Sequence, residues 1–396
     1  MNHSILKRAL LVIAFTLAAL NLRPALANVS PLLNEIRADL GLSAAAAGAI
    51  TTVMVLCLGV LSPSAPVLVR RFGLDRTLLI ALVVLTAGIA LRSTDGVVCL
   101  YLGAAVAGTA IAVMNVIMPG VVKERFPTRI GLFTGIYTSA LVAGAAAGSA
   151  LMVPLEERYG WRVAAGSAAA LAFLAAVLWY PHVQRGPAPI QPVEPGRYRR
   201  LLGRPVTWYV TGFLGVQSMT FYLMLAWLPT VFRDAGLSAV DAGNLLGLTN
   251  FVQIAATLAM PQIAARARTQ APHAVLSTML TLTGFAAVMV APTTVPWLWM
   301  IILGLGQGST ISLALLIITL RAPDPTSVTA LSAVAQSVGY VFAAAGPVII
   351  GLLHELTGGW TVPLGMAVGL SVVQLGFGYL AGRPAPQPAR PVPVSS

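Results

Sequence analysis

Long apolar stretches separated by short polar breaks cover almost the whole chain of 396 residues. A transmembrane α-helix needs about 20 predominantly apolar residues, and a window of that length detects such stretches along the chain. They predict twelve membrane-spanning helices, at 8–33, 43–69, 77–92, 97–121, 130–153 and 161–180, and then at 206–232, 239–264, 273–291, 296–320, 327–353 and 360–381. We therefore expect an all-α integral membrane protein embedded in the lipid bilayer.

One polar break is much longer than the others. Residues 181–204 are rich in proline and arginine, a composition typical of a flexible linker. The predicted organisation is an N-terminal six-helix bundle at 1–180, a cytoplasmic linker at 181–204, and a C-terminal six-helix bundle with a short cytoplasmic tail at 205–396.

The two halves also resemble each other. The segment RADLGLSAAAAG at 37–48 is similar to FRDAGLSAVDAG at 232–243, and LEERYGW at 155–161 is similar to HELTGGW at 354–360. Two related six-helix units whose ends lie on the same side indicate parallel repeats about an axis normal to the membrane. In transporters built this way, the substrate site lies near the midplane between the repeats.

Composition and charge agree with a membrane protein. Hydrophobic residues make up 57% of the chain and charged residues 9%, whereas a soluble domain has about a quarter charged residues. The net charge of +12 comes from short loops, so it sets topology and does not indicate a nucleic-acid partner. Most Lys and Arg residues fall in alternate loops, which predicts both termini in the cytoplasm and a multi-pass location in a cell inner membrane. The arginines expected in surface loops of the other side are Arg37, Arg92, Arg158, Arg162 and Arg233.

Arg23 interrupts the first apolar stretch, and it is the one charged side chain that this pattern does not place at a membrane surface. A charge at mid-membrane costs ~3 kcal/mol on insertion scales, so it normally faces a bundle interior or a wet cavity. The guanidinium stays charged, and Pro24 predicts a kink beside it. We predict that Arg23 binds an anion or a polarised small molecule. A structural arginine held by carbonyls or by an asparagine is the alternative.

The N-terminus has a second interpretation, as a signal peptide cleaved after Ala25-Leu26-Ala27. Cleavage would remove Arg23 and leave eleven spans, and it is disfavoured because apolar sequence continues past that point.

Polar side chains at helical spacing supply further binding candidates. Gln217 and Phe221 lie four residues apart with Tyr222 beside them, and Gln336 and Tyr340 repeat this spacing in the eleventh span. An amide over an aromatic ring suits a small planar solute, through hydrogen bonding and stacking. Hydrogen bonding between helices is the alternative for both pairs.

Two asparagines and two glycines complete the intramembrane pattern. Asn115 is expected opposite Arg23, whereas Asn21 lies near the depth of Arg23 on a different helix face and suits helix joining equally well. Gly144 and Gly148 form a small-xxx-small face for close packing, which we place at a sliding interface between the halves.

No other chemistry is indicated. Cys57 and Cys99 form no CxxC pattern, no metal or cofactor motif is present, and no catalytic constellation can be assembled inside the membrane. We therefore predict no enzyme. All acidic residues map to loops or span ends, which disfavours an exporter of cationic drugs, the runner-up mechanism for this fold. A membrane receptor or a membrane-embedded enzyme is the alternative from another class.

The six-plus-six arrangement resembles the major facilitator superfamily. Within it, the segments NLRPALANVSPLL, NVIMPGVVKERFP, GVQSMTFYLMLAWLP and AQSVGYVFAAAGP are similar to the cyanate and nitroimidazole transporter (CynX/NimT) family. The loop at 67–79 keeps only Gly73 and basic residues of the superfamily signature. The resemblance implies a secondary active or facilitative transporter of a cyanate-like anion or a nitroimidazole-like heterocycle, working by alternating access, and we expect a monomer.

Overall fold

The computed structural model describes residues 2–183 and 197–384, and every regular element in these ranges is helical. The helices of the first range are α1 (Asn2–Leu20), α2 (Pro24–Ala27), α3 (Leu33–Leu40), α4 (Ala44–Val60), α5 (Ser64–Phe72), α6 (Leu74–Arg92), α7 (Val97–Arg125), α8 (Ile130–Ala150) and α9 (Met152–Trp179). Those of the second are α10 (Arg197–Leu202), α11 (Pro205–Asp234), α12 (Ala239–Arg266), α13 (Ala271–Val290), α14 (Pro296–Arg321), α15 (Pro325–Ala344), α16 (Gly346–Thr357) and α17 (Thr361–Gly382). Single-turn 3-10 helices lie at Ser30–Leu32, Pro127–Arg129 and Tyr180–His182. The all-α prediction is confirmed.

The long helices of the described ranges form the twelve predicted spans. Ten stretches are long and apolar enough to cross a membrane, and an eleventh span is the pair α4 and α5, bent by 63° near Pro63. The twelfth is α12, whose 28 residues extend about 42 Å and include the polar side chains of Asn244, Asn250 and Gln253. The first and eleventh spans are also interrupted, between α1 and α2 and between α15 and α16. In the sixth span α9 kinks at Gly160, where φ is 78°, next to the predicted start at residue 161.

The repeated Gly-Leu-Ser segments form the same local structure in both halves. Gly41 and Gly236 have positive φ values of 63° and 100°, which glycine adopts without the steric cost of a Cβ atom. Two residues later, Ser43 and Ser238 are the N-caps of α4 and α12. Each hydroxyl accepts a hydrogen bond from the backbone N–H three residues further on. The second span of each half therefore begins with the same capping structure.

The helices pack as two sets that meet along a few of their members. The first set is α1 to α9, in which α1, α4 and α6 to α9 pack on one another. The second set is α11 to α17, in which α11 to α15 and α17 pack on one another. Between the sets, α8 packs on α12, and α4, α5 and α7 pack on α15. Gly135 permits the close approach of α8 and α12, because a Cβ atom there would lie 2.6 Å from the carbonyl oxygen of Leu258. The predicted linker falls mainly on 184–196, outside the described residues, so the division at 181–204 stays a prediction.

The two ends of the assembly carry different side chains. The basic end is the one formed by Arg70, Lys123, Arg125, Arg266 and Arg321, and the opposite end is the one formed by Asp39, Arg162, Asp234 and Trp360. At the basic end, Lys123 Nζ on α7 donates hydrogen bonds to the backbone carbonyls of Thr319, at 3.0 Å, and of Ala322. These carbonyls end α14 and lack partners within the helix. In the part of the chain that the structure describes, the hydrogen bonds between the two sets of helices lie at the centre and toward the basic end.

Candidate functional site

The first span breaks where the sequence places Arg23. Helix α1 ends at Leu20, and Pro24 occupies the first position of α2, where its missing N–H costs nothing. Arg23 is the residue before this second helix and has non-helical dihedral angles, φ −127° and ψ −29°. The predicted kink at Pro24 is confirmed, and it turns the arginine side chain out of the regular helix.

Small residues on α8 let the broken backbone pack closely. A Cβ atom at Gly144 would collide with the carbonyl oxygen of Leu20, and one at Gly148 would lie 2.9 Å from Pro24 Cα. The prediction that Gly144 and Gly148 serve close packing is confirmed, but their predicted place between the halves was wrong. They face the break in the first span, which belongs to the same set of helices as α8. The glycines at the interface between the sets are instead residues such as Gly135.

Arg23 reaches across to the second set of helices. Its Nη1 donates a hydrogen bond to Tyr222 Oη on α11 at 2.9 Å, and its guanidinium carbon lies 6.0 Å from the tyrosine ring centroid. Tyr340 on α15 lies near the same guanidinium. Within residues 2–183 and 197–384, Arg23 has no carboxylate partner, and its buried Nε has no hydrogen-bond partner. The arginine is thus a charged group with unused donor capacity.

The aromatic side chains of α11 lie beside this cation, whereas Gln217 is engaged elsewhere. Phe221 and Tyr222 meet edge to face, with ring centroids 5.5 Å apart. Gln217 is buried, and its Nε2 donates to Gln307 Oε1 on α14 at 3.2 Å. Gln307 in turn donates to Thr220 Oγ1 at 3.0 Å. This network links α11 to α14, so a substrate contact for Gln217 stays a prediction while its amide already serves helix packing.

Gln336 joins the two sets of helices at the centre. Its Nε2 donates to the backbone carbonyl of Asn115 on α7 at 2.9 Å and to Ser332 Oγ at 2.8 Å. The donor side of this amide is therefore fully used, and its Oε1 is buried without a partner. Tyr340, one helical turn further along α15, is also buried. The structure thus places the Gln336 and Tyr340 pair next to Arg23 and Asn115, on the face of α15 that meets the other half.

The two predicted asparagines have different surroundings. Asn21 Nδ2 donates to the carbonyls of Leu17, at 2.8 Å, and Leu171, at 3.3 Å, which ties α1 to α9. Asn115 is equally buried, but its Nδ2 has no hydrogen-bond partner among the described residues. Asn21 therefore has the surroundings of a helix-joining residue, and Asn115 those of a residue with a free donor. A substrate contact for either one stays a prediction.

Arg92 is a buried cation that the sequence pattern missed. Its predicted position in a surface loop was wrong: the side chain is 1% exposed at the end of α6. Nη1 donates to the carbonyl of Ala25 at 2.7 Å, and Nη2 donates to Asn28 Oδ1 at 3.1 Å. Asn28 Nδ2 then donates to the carbonyl of Ala165. Arg92 therefore holds the segment that follows Arg23 against the helices behind it, through partners more than 60 residues away in sequence.

The buried carboxylate of the described residues lies at the basic end, away from Arg23. Asp75, in the first turn of α6, pairs with Arg125, which also donates to the backbone carbonyl of His182 at 3.0 Å. Among the described residues, the side chains around Arg23 are thus amides, hydroxyls and aromatic rings, with no carboxylate. This set of groups can bind and orient a ligand through hydrogen bonds and charge.

Comparison with known proteins agrees with this arrangement. Residues 11–347 match the sequence profile of the Major Facilitator Superfamily. The 2-nitroimidazole transporter of Escherichia coli (strain K12) is 36% identical over 379 residues, which cover 95% of this chain and 96% of that protein. The cyanate transport protein CynX of the same organism is 28% identical over 373 residues, which cover 93% of this chain and 97% of that protein.

A solved structure shows the same fold. The proton:xylose symporter XylE superposes with a TM-score of 0.76 at 15% identity, and the match covers 94% of each chain. Fold and sequence together identify a membrane transporter, as predicted. The chain belongs to the Major Facilitator Superfamily and, within it, to the cyanate and nitroimidazole transporter (CynX/NimT) family.

Proposed function

We propose that this chain transports a small anionic or polar planar compound by alternating access, with the substrate held between the two bundles and Arg23 as the central cation. The observation that carries the proposal is the hydrogen bond from Arg23 to Tyr222, because it joins the two halves through a charge that has no carboxylate partner in the described ranges. The names of the two relatives supply the substrate class: cyanate is a small anion, and 2-nitroimidazole is a planar heterocycle.

Electrostatics favours an anion at this position. A guanidinium without a charged partner is costly to keep inside a membrane protein, and an ionised oxygen acceptor offsets that cost better than a neutral hydroxyl. A ligand that contacts Arg23 in one bundle and Tyr222 in the other has a different interaction energy when the bundles move apart. Such a difference is what a substrate needs in order to shift a conformational equilibrium.

We further propose that the basic end faces the cytoplasm and that the structure represents an outward-facing arrangement. Support comes from the loop charges, from the Lys123 hydrogen bonds to the end of α14, and from the position of the other contacts between bundles at the centre and basic end. The N-terminal bundle of 1–180 and the C-terminal bundle of 205–396 then move as units about the central site. The chain works as a monomer in the inner membrane under this proposal.

Binding measurements on purified variants test the site. Arg23→Ala should weaken binding of cyanate ~30-fold to several thousand-fold, because loss of a buried charged partner typically costs ~2–5 kcal/mol. Arg23→Lys should recover only part of this, since an ammonium cannot reproduce the planar donor fork. Neutral 2-nitroimidazole should lose less affinity than cyanate in both variants. Arg233→Ala, at an exposed arginine of α11, is the matched control and should bind as wild type.

Thermal stability measured on the same samples separates binding from folding. A structural role for Arg23 predicts a large fall in melting temperature with near-normal affinity in the surviving fraction, and near-normal cyanate affinity in Arg23→Ala would contradict the proposal. Orientation needs its own test: reporter fusions after Gly186 and after Arg383 should both show a cytoplasmic location. A periplasmic signal at either site would reverse the assigned orientation.

A further inference from the structure

Three buried donor atoms in and around the central site have no hydrogen-bond partner among the described residues. They are Arg23 Nε, Asn115 Nδ2 and the hydroxyl of Tyr137 on α8. Asn115 is 4% exposed and Tyr137 1% exposed. A buried polar group left unpaired costs ~1–3 kcal/mol, so most such groups in folded proteins are satisfied. Unpaired donors at a proposed binding site indicate groups whose missing hydrogen-bond acceptor is supplied by a ligand.

The residues Tyr340 and Gln336 on α15 relate these three donors to one another. Arg23 bonds Tyr222 and lies near Tyr340, which also lies near Tyr137. Tyr137 is two helical turns before Gly144, on the face of α8 that packs on the break in the first span. One helical turn from Tyr340, Gln336 donates to the backbone carbonyl of Asn115. The donors come from the first, fourth and fifth spans of the N-terminal half, and the tyrosines Tyr222 and Tyr340 face them from the C-terminal half.

The unpaired atoms of the site are mostly hydrogen-bond donors. Arg23 Nε and Asn115 Nδ2 can only donate hydrogen bonds, and the Tyr137 hydroxyl can donate its proton to any acceptor that reaches it. The same group contains one unpaired atom that can only accept a hydrogen bond, Gln336 Oε1. The Nε2 of that amide already donates to Asn115 and Ser332. The site therefore has more free donors than free acceptors.

We propose that Asn115 and Tyr137 contact the substrate and, together with Arg23, select a planar head group that only accepts hydrogen bonds, such as a carboxylate or a nitro group. This inference rests on the proposed function and adds the basis of its selectivity. Both head groups present two oxygen acceptors in one plane, so one set of donors serves a charged and a neutral substrate. Arg23 adds a preference for the charged one.

The same donors reject head groups that carry their own N–H bonds. A carboxamide has nearly the shape of a nitro group or a carboxylate, but it places an NH₂ where one oxygen would be. In the site, that NH₂ would face Asn115 Nδ2, where two donors would meet, or the Tyr137 hydroxyl, which would accept from it only by turning its own proton away from the ligand and leaving that proton unpaired. Sites that hydrogen-bond a specific substrate group discriminate strongly against an isostere that cannot make the bond.

Two matched probe pairs measure this selectivity on the purified, full-length protein. The neutral pair is 2-nitroimidazole and imidazole-2-carboxamide, measured at mildly acidic pH so that the nitroimidazole ring keeps its proton; the two share a ring and differ in the head group. The second pair is benzoate and benzamide. Wild type should bind the acceptor-only member of each pair at least ~10-fold more tightly, since a lost hydrogen bond and an unpaired buried donor each reduce affinity by a factor of this order.

The variants Tyr137→Phe and Asn115→Leu remove one donor each with little change in shape. Each should weaken binding of 2-nitroimidazole and benzoate ~5-fold or more while leaving imidazole-2-carboxamide and benzamide nearly unaffected, so the preference narrows. Tyr137→Phe removes a single oxygen and provides the test if Asn115→Leu fails to fold. Two controls lie outside the site: Tyr101→Phe, whose hydroxyl donates to the carbonyl of Ala46, and Gln374→Leu, a buried amide on α17. Both should keep the wild-type preference.

Failure of this inference is distinguishable from failure of the proposed function. If wild type binds 2-nitroimidazole or benzoate and Arg23→Ala weakens binding, but Tyr137→Phe and Asn115→Leu keep the full head-group preference, only the role of these two donors is overturned. If wild type binds neither acceptor-only probe, the donor selectivity is overturned, and the proposed substrate class is overturned as well if cyanate also fails to bind. A narrowed preference in the two variants, with both controls unchanged, supports the assignment.

Discussion

Trp360 Nε1 donates a hydrogen bond to Asp234 Oδ2 at 2.8 Å, which joins the end of α11 to the start of α17. In the other half, Trp161 Nε1 donates to Asp39 Oδ2 at 3.3 Å. These residues lie in the two pairs of segments whose sequences repeat between the halves. In each bundle the bond connects the region after the first span to the beginning of the sixth. The sequence similarity therefore preserves a specific contact, which makes the two halves structural repeats.

The two copies of this bond should differ in their contribution to stability. Asp39 also pairs with Arg162 at 2.8 Å, and Arg162 pairs with Asp95 at 2.7 Å, whereas Asp234 has no such ion pair in the described ranges. Asp39→Asn should therefore lower the melting temperature more than Asp234→Asn, and added salt should reduce the difference because exposed ion pairs are screened. Thermal unfolding in detergent at low and high salt measures both effects. Equal destabilisation at both salt concentrations would contradict this.

Removing the charge of Arg92 should mainly affect thermal stability, and removing that of Arg23 should mainly affect substrate binding. Arg92→Leu leaves the Ala25 carbonyl and Asn28 Oδ1 unpaired in a buried location, so we expect a loss of ~3 kcal/mol or more in stability. Arg92→Lys should recover part of this loss, because an ammonium cannot span both acceptors with the same geometry.

Melting temperature and cyanate affinity, measured on both sets of variants, give the comparison. Arg92→Leu should mainly lower the melting temperature, and Arg23→Ala should mainly lower the affinity. A stable Arg92→Leu protein that no longer binds cyanate would instead place Arg92 in the binding site.

The sequence predicted the helices well because their cause is local. Apolar runs of membrane length identify the spans, and the kink at Pro24 is predictable because proline removes a backbone donor. The partner of a side chain has no such local cause. Asn21 and Asn115 look equivalent as intramembrane asparagines, but Asn21 Nδ2 donates to the carbonyls of Leu17 and of Leu171, 150 residues away, whereas Asn115 Nδ2 has no partner among the described residues.

The burial of Arg92 could not be predicted from the sequence, because its partners are also distant along the chain. It ends an apolar helix, as loop arginines do, and its burial depends on Ala25 and Asn28, which reach it only after the first span has broken. Tyr137 went unnoticed because an isolated tyrosine in an apolar helix has no distinguishing pattern. Its free hydroxyl becomes visible once its neighbours are known.

Lys123 should stabilise the arrangement in which the basic end is closed. Its ammonium binds the carbonyls of Thr319 and Ala322 at the C-terminus of α14, where the helix dipole favours a cation. Lys123→Met removes these bonds and should shift the equilibrium toward opening of the basic end by ~5-fold to 30-fold, the equivalent of one or two kcal/mol.

Spin labels at Thr128 and Arg268, two exposed positions at the basic end, report this shift as a longer distance between bundles. The labels require a background of Cys57→Ala and Cys99→Ala, which should fold normally because neither thiol has a disulfide partner. Arg71→Met is the control, as this exposed arginine lies over the ring of its neighbour Phe72. An unchanged distance distribution in Lys123→Met would show that the contact does not bias the equilibrium.

Two glycines of α8 should have separable effects, because they face different partners. Gly144 packs on the break in the first span, within one bundle, and Gly135 packs on Leu258 in the other bundle. Gly144→Ala drives a methyl group into the backbone at Leu20, so we expect a lower melting temperature and weaker cyanate binding through displacement of Arg23. A rigid backbone neighbour cannot move aside cheaply, and overpacking of this kind costs ~1–3 kcal/mol.

Gly135→Ala places its methyl 2.6 Å from the Leu258 carbonyl oxygen, so the two bundles must separate locally at the basic end. Because the bundles can move apart at this interface, the variant should lower the melting temperature less than Gly144→Ala and should lengthen the distance between the spin labels at Thr128 and Arg268. Gly243→Ala, on a helix face with open space around the added methyl, is the control for a glycine change as such. If Gly135→Ala lowered the melting temperature as much as Gly144→Ala and left the label distance unchanged, the contact between α8 and α12 would be a fixed part of the fold and not a moving interface.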